Sequence, residues 1–282
     1  MLSYWNYPTY TIGPVILQTW GTFVAVGILV ALLVIRRAAR RAGFLENKIS
    51  DAALGILIAA FLGARLGHVF FYEWGYFRDH LSEIVKVWHG GFSSFGGFLG
   101  GVIMYLVIAR SLDFSGRRSN PENQHKSLFH GIAASLTAFA PRNDLEKKLI
   151  TTDIFLSGFP LGWTIGRIGC FFIHDHPGTL THFILGVQYP DGVRHDLGLY
   201  DGLNTLGLAI LLLFIGRRLE KRPGAASALI MIWYGTIRFL TDFLRAYDAR
   251  YLGMTPAQYG SVILVFLGAY FSMIKFQNPH FK

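Results

Sequence analysis

Three arginines stand inside otherwise apolar stretches of this chain: Arg65 within residues 52–71, Arg167 within 154–172 and Arg238 within 225–244. A guanidinium placed in hydrocarbon is costly, and by default it marks a functional site. Arginine keeps its charge in low dielectric and offers planar, paired donors, which suit phosphate oxygens. Tyr234, Arg238 and Asp242 recur at i, i+4 and i+8, with Arg245 three further on, so they share one helix face. Tyr200 and Asp201 open another apolar run, and Gly90-Gly91-Phe92-Ser93-Ser94-Phe95-Gly96-Gly97 leads into a third. Together these residues describe a layer of cations, flexible backbone and a few carboxylates suited to an anionic lipid headgroup. An Arg238–Asp242 pair serving only its own stability is the bland alternative, and it leaves Arg65 and Arg167 unexplained.

Such residues need elements that hold them at one depth, and the composition says what those elements are. Of the 282 residues, 52% are hydrophobic and 15% charged, and the mean hydropathy is +0.39. The charged share is well below the ~25% of an ordinary soluble domain. A single cysteine, Cys170, excludes an internal disulfide framework, and 24 Phe exclude a disordered chain. Seven apolar windows approach the ~20 residues that cross a bilayer as helix: 14–35, 52–71, 92–109, 154–172, 197–215, 225–244 and 255–274. The expectation is an all-α polytopic membrane protein with seven transmembrane helices and a single transmembrane domain over 1–282. Residues 1–10 carry no basic residue and no small-residue cleavage pattern, so no signal peptide is expected.

Basic residues collect in alternate connections. Arg36, Arg37, Arg40, Arg41 and Lys48 follow the first window. Arg110, Arg117, Arg118, Lys126, Arg142, Lys147 and Lys148 lie between the third and fourth, and Arg217, Arg218, Lys221 and Arg222 follow the fifth. The opposite connections hold only Arg78, Lys86, Arg194, Arg245 and Arg250. By the positive-inside rule the N-terminus is outside and the C-terminus cytoplasmic. The net charge of +9 is then a topology signal, and no nucleic-acid partner is expected. In this orientation the three arginines lie roughly 8–11 Å below the outer ends of their helices, at ~1.5 Å per residue. Residues 111–149 form a cytoplasmic insertion with a short helix expected around 128–139. Residues 173–198 form a periplasmic segment reading as turn, strand, turn, with Asp191-Gly192 as a turn signal. His174 and His176 flank Asp175, but no further ligands stand at a recognised spacing; neither a metal nor a cofactor is expected. Gly166-x-x-Gly169 and Gly97-x-x-Gly100 read as helix-packing motifs.

These motifs together resemble the prolipoprotein diacylglyceryl transferase family, seven-span enzymes of the bacterial inner membrane. The resemblance runs over nearly the whole chain. It rests on Gly63-Ala-Arg65-Leu-Gly-His68, Trp88-x-Gly90-Gly91-Phe-Ser93, Gly166-Arg167-Ile-Gly169-Cys170-Phe171, Tyr189-Pro-Asp-Gly192, Leu199-Tyr200-Asp201, Tyr234-x3-Arg238-x3-Asp242-x2-Arg245 and Met254-x3-Gln258. It implies transfer of a diacylglyceryl group from phosphatidylglycerol to the cysteine thiol of a prolipoprotein signal peptide, releasing glycerol phosphate, with the active site toward the periplasm. Phosphatidylglycerol, prolipoprotein signal peptides and membrane lipids are the implied partners. The catalytic residues carried over are Arg238, Asp242, Tyr234, Tyr200 and His195; the lipid-binding ones are Arg167, Arg65, Gly96, Gly97, Asp175, Gly178 and Asp201. Phe95 stands where the family commonly has His, Cys170 where it has Asn, and Asp175, Asp201 and Asp242 where it has Glu. His195 is therefore the remaining candidate for the base. A catalytically silent lipid-binding paralogue is the alternative, ahead of a small-solute transporter, which would require two similar halves with broken helices at midplane.

Overall fold

A computed structural model describes residues 1–87, 91–111, 142–247 and 250–274. Trp88, Gly90 and the helix expected around 128–139 lie outside the described residues, as does the side chain of Phe95. The described chain is mostly helical: α1 Thr19–Arg41, α2 Glu46–Phe71, α3 Ser94–Ser111, α4 Arg142–Ser157, α5 Phe159–Ile173, α6 Leu197–Leu219, α7 Ala225–Thr241 and α8 Pro256–Met273. A helical turn at Trp74–Phe77 and a 3-10 turn at Leu81–Val85 separate α2 from α3. Helix occupies most of every apolar window of the sequence. Thr19–Arg41, Glu46–Phe71, Leu145–Ile173 and Leu197–Leu219 are long and apolar enough to cross a membrane. Large apolar side chains point away from the protein, with Leu213 78% and Phe214 80% exposed. Helices that leave such residues outside require an apolar surrounding, which a bilayer supplies.

The structure differs from the sequence reading at several points. The first window, 14–35, does not begin as helix: Thr9–Ile12 (β1) and Val15–Gln18 (β2) form an antiparallel hairpin pairing Ile12 with Val15. Pro14 has no N–H to give a helix, Gly13 takes a left-handed φ of 58°, and Val15 and Ile16 are β-branched. The fourth window falls within one long apolar helical run, Leu145–Ile173, in which a single turn residue with helical dihedrals, Gly158, separates α4 from α5. The sixth window's helix ends at Thr241, and Asp242–Leu244 tighten into a 3-10 turn. The segment 173–198 is richer than one strand: β3 Pro177–Leu180, β4 Val187–Tyr189 and β5 Gly192–Asp196 make an antiparallel sheet in the order β3-β5-β4. The turn at Asp191-Gly192 closes β4 onto β5 as the sequence suggests, pairing Tyr189 with Gly192.

The chain divides into two compact units, Met1–Ile35 with Leu145–Lys282, and Arg36–Asp144. In the first, α1 and α5 meet backbone to backbone at Gly27 and Gly162, and α7 meets α8 at Gly235 and Gly268, where a Cβ would strike the facing helix. In the second, α2 and α3 meet through Gly63, Gly67, Gly96 and Gly100. Removing side chains at these crossings lets two helices pack tightly where no hydrophobic force drives them together.

Candidate active site

Helices α5, α6 and α7 bring the intramembrane charges of the first unit together. Arg167 points from α5 to Asp201 in the first turns of α6, with Nε 2.8 Å from Oδ2. Arg238, on α7, places Nη1 3.6 Å from the same oxygen. Asp201 is 2% exposed, so this oxygen is shared in low dielectric. Trp163, one turn before Arg167, donates its indole N–H to that oxygen at 3.1 Å, and its ring lies 4.9 Å from the Arg167 guanidinium carbon. Oδ1 of Asp201 has no hydrogen-bond partner among the described residues.

A second carboxylate extends the cluster. Asp242 is 1% exposed. Its Oδ1 lies 3.2 Å from Arg238 Nη2 and 2.8 Å from Arg245 Nε. Its Oδ2 accepts from the hydroxyl of Thr255, the N-cap of α8. Thr255 and Gln258 form a reciprocal capping box, which ties the start of α8 to the end of α7. Asp242 thus organises two arginines. The Tyr234 ring packs edge-on against Phe159 and Trp163, and its hydroxyl feels the charges of Arg167, Asp201 and Arg238.

The sheet of β3, β4 and β5 contributes His195, whose Nδ1 lies 2.8 Å from the Tyr200 hydroxyl. Burial pulls His195 below the ordinary histidine value of 6.5. Gly178 in β3 runs beside Arg245. A Cβ there would lie 2.8 Å from the Leu244 carbonyl and 2.8 Å from the His195 Cβ, so only glycine fits without displacement. Its carbonyl accepts from Arg194 at 2.8 Å. Asp175 lies with Cys170 and His176, their ligating atoms within 4.8 Å of one another.

One connection joins α5 to α6. His174 ends α5 in a left-handed conformation, φ 50°, and its Nδ1 lies 2.6 Å from Asp196 Oδ2. Tyr189 donates to the same oxygen at 2.9 Å, while Asp196 Oδ1 caps α6 through the Leu199 N–H. Burial, followed by the Asp196 charge, pushes the Tyr189 phenol up, keeping it protonated and a donor.

In the second unit, Arg65 is 5% exposed, and its guanidinium serves nearby backbone. It donates to the carbonyls of Glu83, Ile84 and Gly91 at 2.7, 2.9 and 3.1 Å and lies over the Phe77 ring. Gly96 sits against the backbone of Gly63 and Gly67, and Gly97 against Ala64. These contacts give all three residues a part in holding the α2–α3 crossing and the connection between the two helices.

The sequence reading gave no site role to Trp163, Thr255 and Asp196, and weighed His174 only as part of a metal-ligand fragment. Trp163 could have been found, because it precedes Arg167 by four residues on the same helix face. Thr255 carries a local helix-start signal, Thr-x-x-Gln with Pro256 after it, but nothing local marks its reach to Asp242.

The family model of prolipoprotein diacylglyceryl transferase matches residues 9–116 and 127–274. The chain belongs to this family. Relatives named phosphatidylglycerol–prolipoprotein diacylglyceryl transferase include that of Geobacter sulfurreducens, 28% identical over 247 residues covering 86% of this chain and 82% of the relative. The Vibrio atlanticus protein is 28% identical over 284 residues, covering 96% and 91%. That of Staphylococcus saprophyticus is 26% identical over 298 residues, covering 100% and 94%. In this member of the family, the GRIG segment at Gly166–Gly169 supplies the arginine that meets Asp201, and the Tyr234–Arg245 stripe supplies its counterpart.

Proposed function

We propose that this transferase moves the diacylglyceryl group of phosphatidylglycerol onto the lipobox cysteine of prolipoprotein signal peptides, the first step of lipoprotein maturation. It acts in the bacterial inner membrane, with seven helices crossing, the N-terminus outside, the C-terminus in the cytoplasm and the site toward the periplasm. The supporting observation is the convergence of Arg167 and Arg238 on one oxygen of Asp201. In the reaction the substrate sulfur forms a bond to the glyceryl carbon, and the bond from that carbon to the phosphate oxygen breaks with its electron pair left on oxygen. The phosphate gains negative charge as glycerol phosphate departs. Two preorganised guanidiniums aimed at that charge stabilise the transition state more than the ground state.

His195 is the base. With Nδ1 donating to the Tyr200 oxygen, Nε2 is free to take the thiol proton, and the thiolate is the competent nucleophile. Tyr234 donates toward the phosphate, while Asp242 holds Arg238 and Arg245 in register. Asp175, Gly178 and Asp201 line the headgroup end in the first unit; Arg65, Gly96 and Gly97 bind lipid within the second. The substrate supplies the sulfur nucleophile, so the enzyme contributes binding, proton removal and charge stabilisation.

The test incubates purified protein with phosphatidylglycerol and a lipobox peptide. The peptide gains the mass of one diacylglyceryl unit, and Arg167→Ala abolishes the gain while still accumulating in membranes. Intact lipid binding with no mass gain by the wild-type protein would overturn the assignment in favour of a lipid-binding paralogue.

A further inference from the structure

Residues 174–176 offer His-Asp-His, and the structure separates the two histidines. His174 turns inward onto Asp196 and is fully committed there at Nδ1. Its left-handed backbone folds the chain back, so that Asp175 and His176 come beside Cys170 in the last turn of α5. Sulfur, carboxylate oxygen and imidazole nitrogen then lie within 4.8 Å of one another. A tetrahedral zinc site places its donors about 2.0–2.3 Å from the ion, so modest side-chain rotation brings all three atoms onto one centre.

We infer that Cys170, Asp175 and His176 form a binding site for a borderline divalent cation of the zinc type, with a fourth position open to water or a phosphate oxygen. The donor set decides the cation class. A thiolate with an imidazole favours zinc or cobalt over magnesium or calcium, which prefer all-oxygen shells. Three protein ligands and an open position are the arrangement of zinc sites that bind exchangeable ligands. His176 Nδ1 lies 2.9 Å from the Asp175 carbonyl and 3.7 Å from its Oδ1, contacts that restrict the orientation of the ring beside the carboxylate.

The neighbouring charges permit the ion. Arg167 Nη1 lies 3.8 Å from Sγ, and Arg245 also acts on His176. Arg167, Arg238 and Arg245 share the carboxylates of Asp201 and Asp242, which offset two of their three positive charges. Loss of the thiol proton leaves a thiolate which, with Asp175, balances a divalent cation. Occupancy would alter the surroundings of Arg167 and lower transfer; that consequence rests on the proposed function, whereas binding itself does not.

The experiment titrates cobalt(II) into the purified full-length protein in detergent, with any affinity tag removed. The expected result is one equivalent bound, a near-ultraviolet thiolate-to-cobalt charge-transfer band, and displacement by zinc(II). Cys170→Ser loses the band, and His176→Gln weakens binding by at least roughly tenfold, since changes even to residues that only support a ligand cost that much affinity. Zinc also inhibits transfer by the wild-type protein but not by Cys170→Ser, a readout separate from the optical one. Absence of the band, or an identical band in Cys170→Ser, would overturn the site. If Cys170→Ser does not accumulate, unchanged cobalt affinity in both His176→Gln and Asp175→Asn overturns it equally.

Discussion

Asp201 faces two guanidiniums and an indole N–H through a single oxygen. Removing that carboxylate leaves two buried cations without their shared counter-charge, a loss of about 3–5 kcal/mol in comparable buried pairs. Asp201→Ala is therefore expected to lower thermal stability in detergent by that order, and an unchanged unfolding temperature would contradict the shared-anion geometry. His195 makes a different prediction, read in rate. Burial disfavours its charged form, so its folded-state value lies below 6.5. The imidazole accepts a proton only when neutral, so kcat/KM should rise with pH through an inflection below 6.5 and then level. His195→Gln should remove that limb while leaving phosphatidylglycerol binding intact; a limb that persists would assign the base elsewhere. Arg167, Arg238 and Asp201 were legible because a charge inside an apolar run is too costly to persist without a partner or a task. The trio Cys170, Asp175 and His176 was not, because its closure depends on the left-handed turn at His174, and a histidine carries no sequence mark of that backbone state.

At the scale of elements, the distance between Arg167 and Asp201 is set by how α5 hands over to α6. His174 closes the first and Asp196 opens the second, and the two side chains meet at 2.6 Å in the interior. Asp196 does two jobs, capping α6 with one oxygen and receiving His174 and Tyr189 with the other. Asp196→Ala removes a cap worth about 1 kcal/mol and strands two buried donors at about 1–3 kcal/mol each. Asp196→Asn keeps a competent cap. Thermal unfolding should therefore rank wild type above Asn and Asn above Ala, with transfer rate falling in the same order as the arginine loses register with Asp201. Equal stability in all three proteins would make the junction incidental. Long apolar helices were readable from residue order because their apolar blocks are contiguous. The β1–β2 hairpin was hidden because Val15, Ile16 and Leu17 continue the apolar run of α1, so hydropathy alone merges strand with helix. The break at Gly158 was masked in the same way, apolar residues flanking it on both sides.

Across the whole molecule, few helix residues are covered by the protein itself, and side chains such as Leu213, Phe214 and Phe266 face outward. That surface is stable only in hydrocarbon, and it leaves the direction of insertion to the charged connections. Arg40 and Arg41 close α1, Arg110 lies in the last turn of α3, and Arg217 and Arg218 lie in the last turn of α6. Each favours its helix dipole, and under the proposed orientation the same charges favour the cytoplasmic side. The sheet of β3, β4 and β5 lies at the opposite end of α6, at its N-terminal start. This predicts a labelling pattern. In a Cys170→Ser background, single cysteines at Thr179 and Leu252, both exposed, should react with a membrane-impermeant maleimide on sealed spheroplasts. A cysteine at Lys221, also exposed, should react only after the membrane is opened. The reverse pattern would put Arg217, Arg218 and Lys221 outside. It would also turn the Arg167–Asp201–Arg238 cluster toward the cytoplasm, where a signal peptide translocated outward could not present its cysteine.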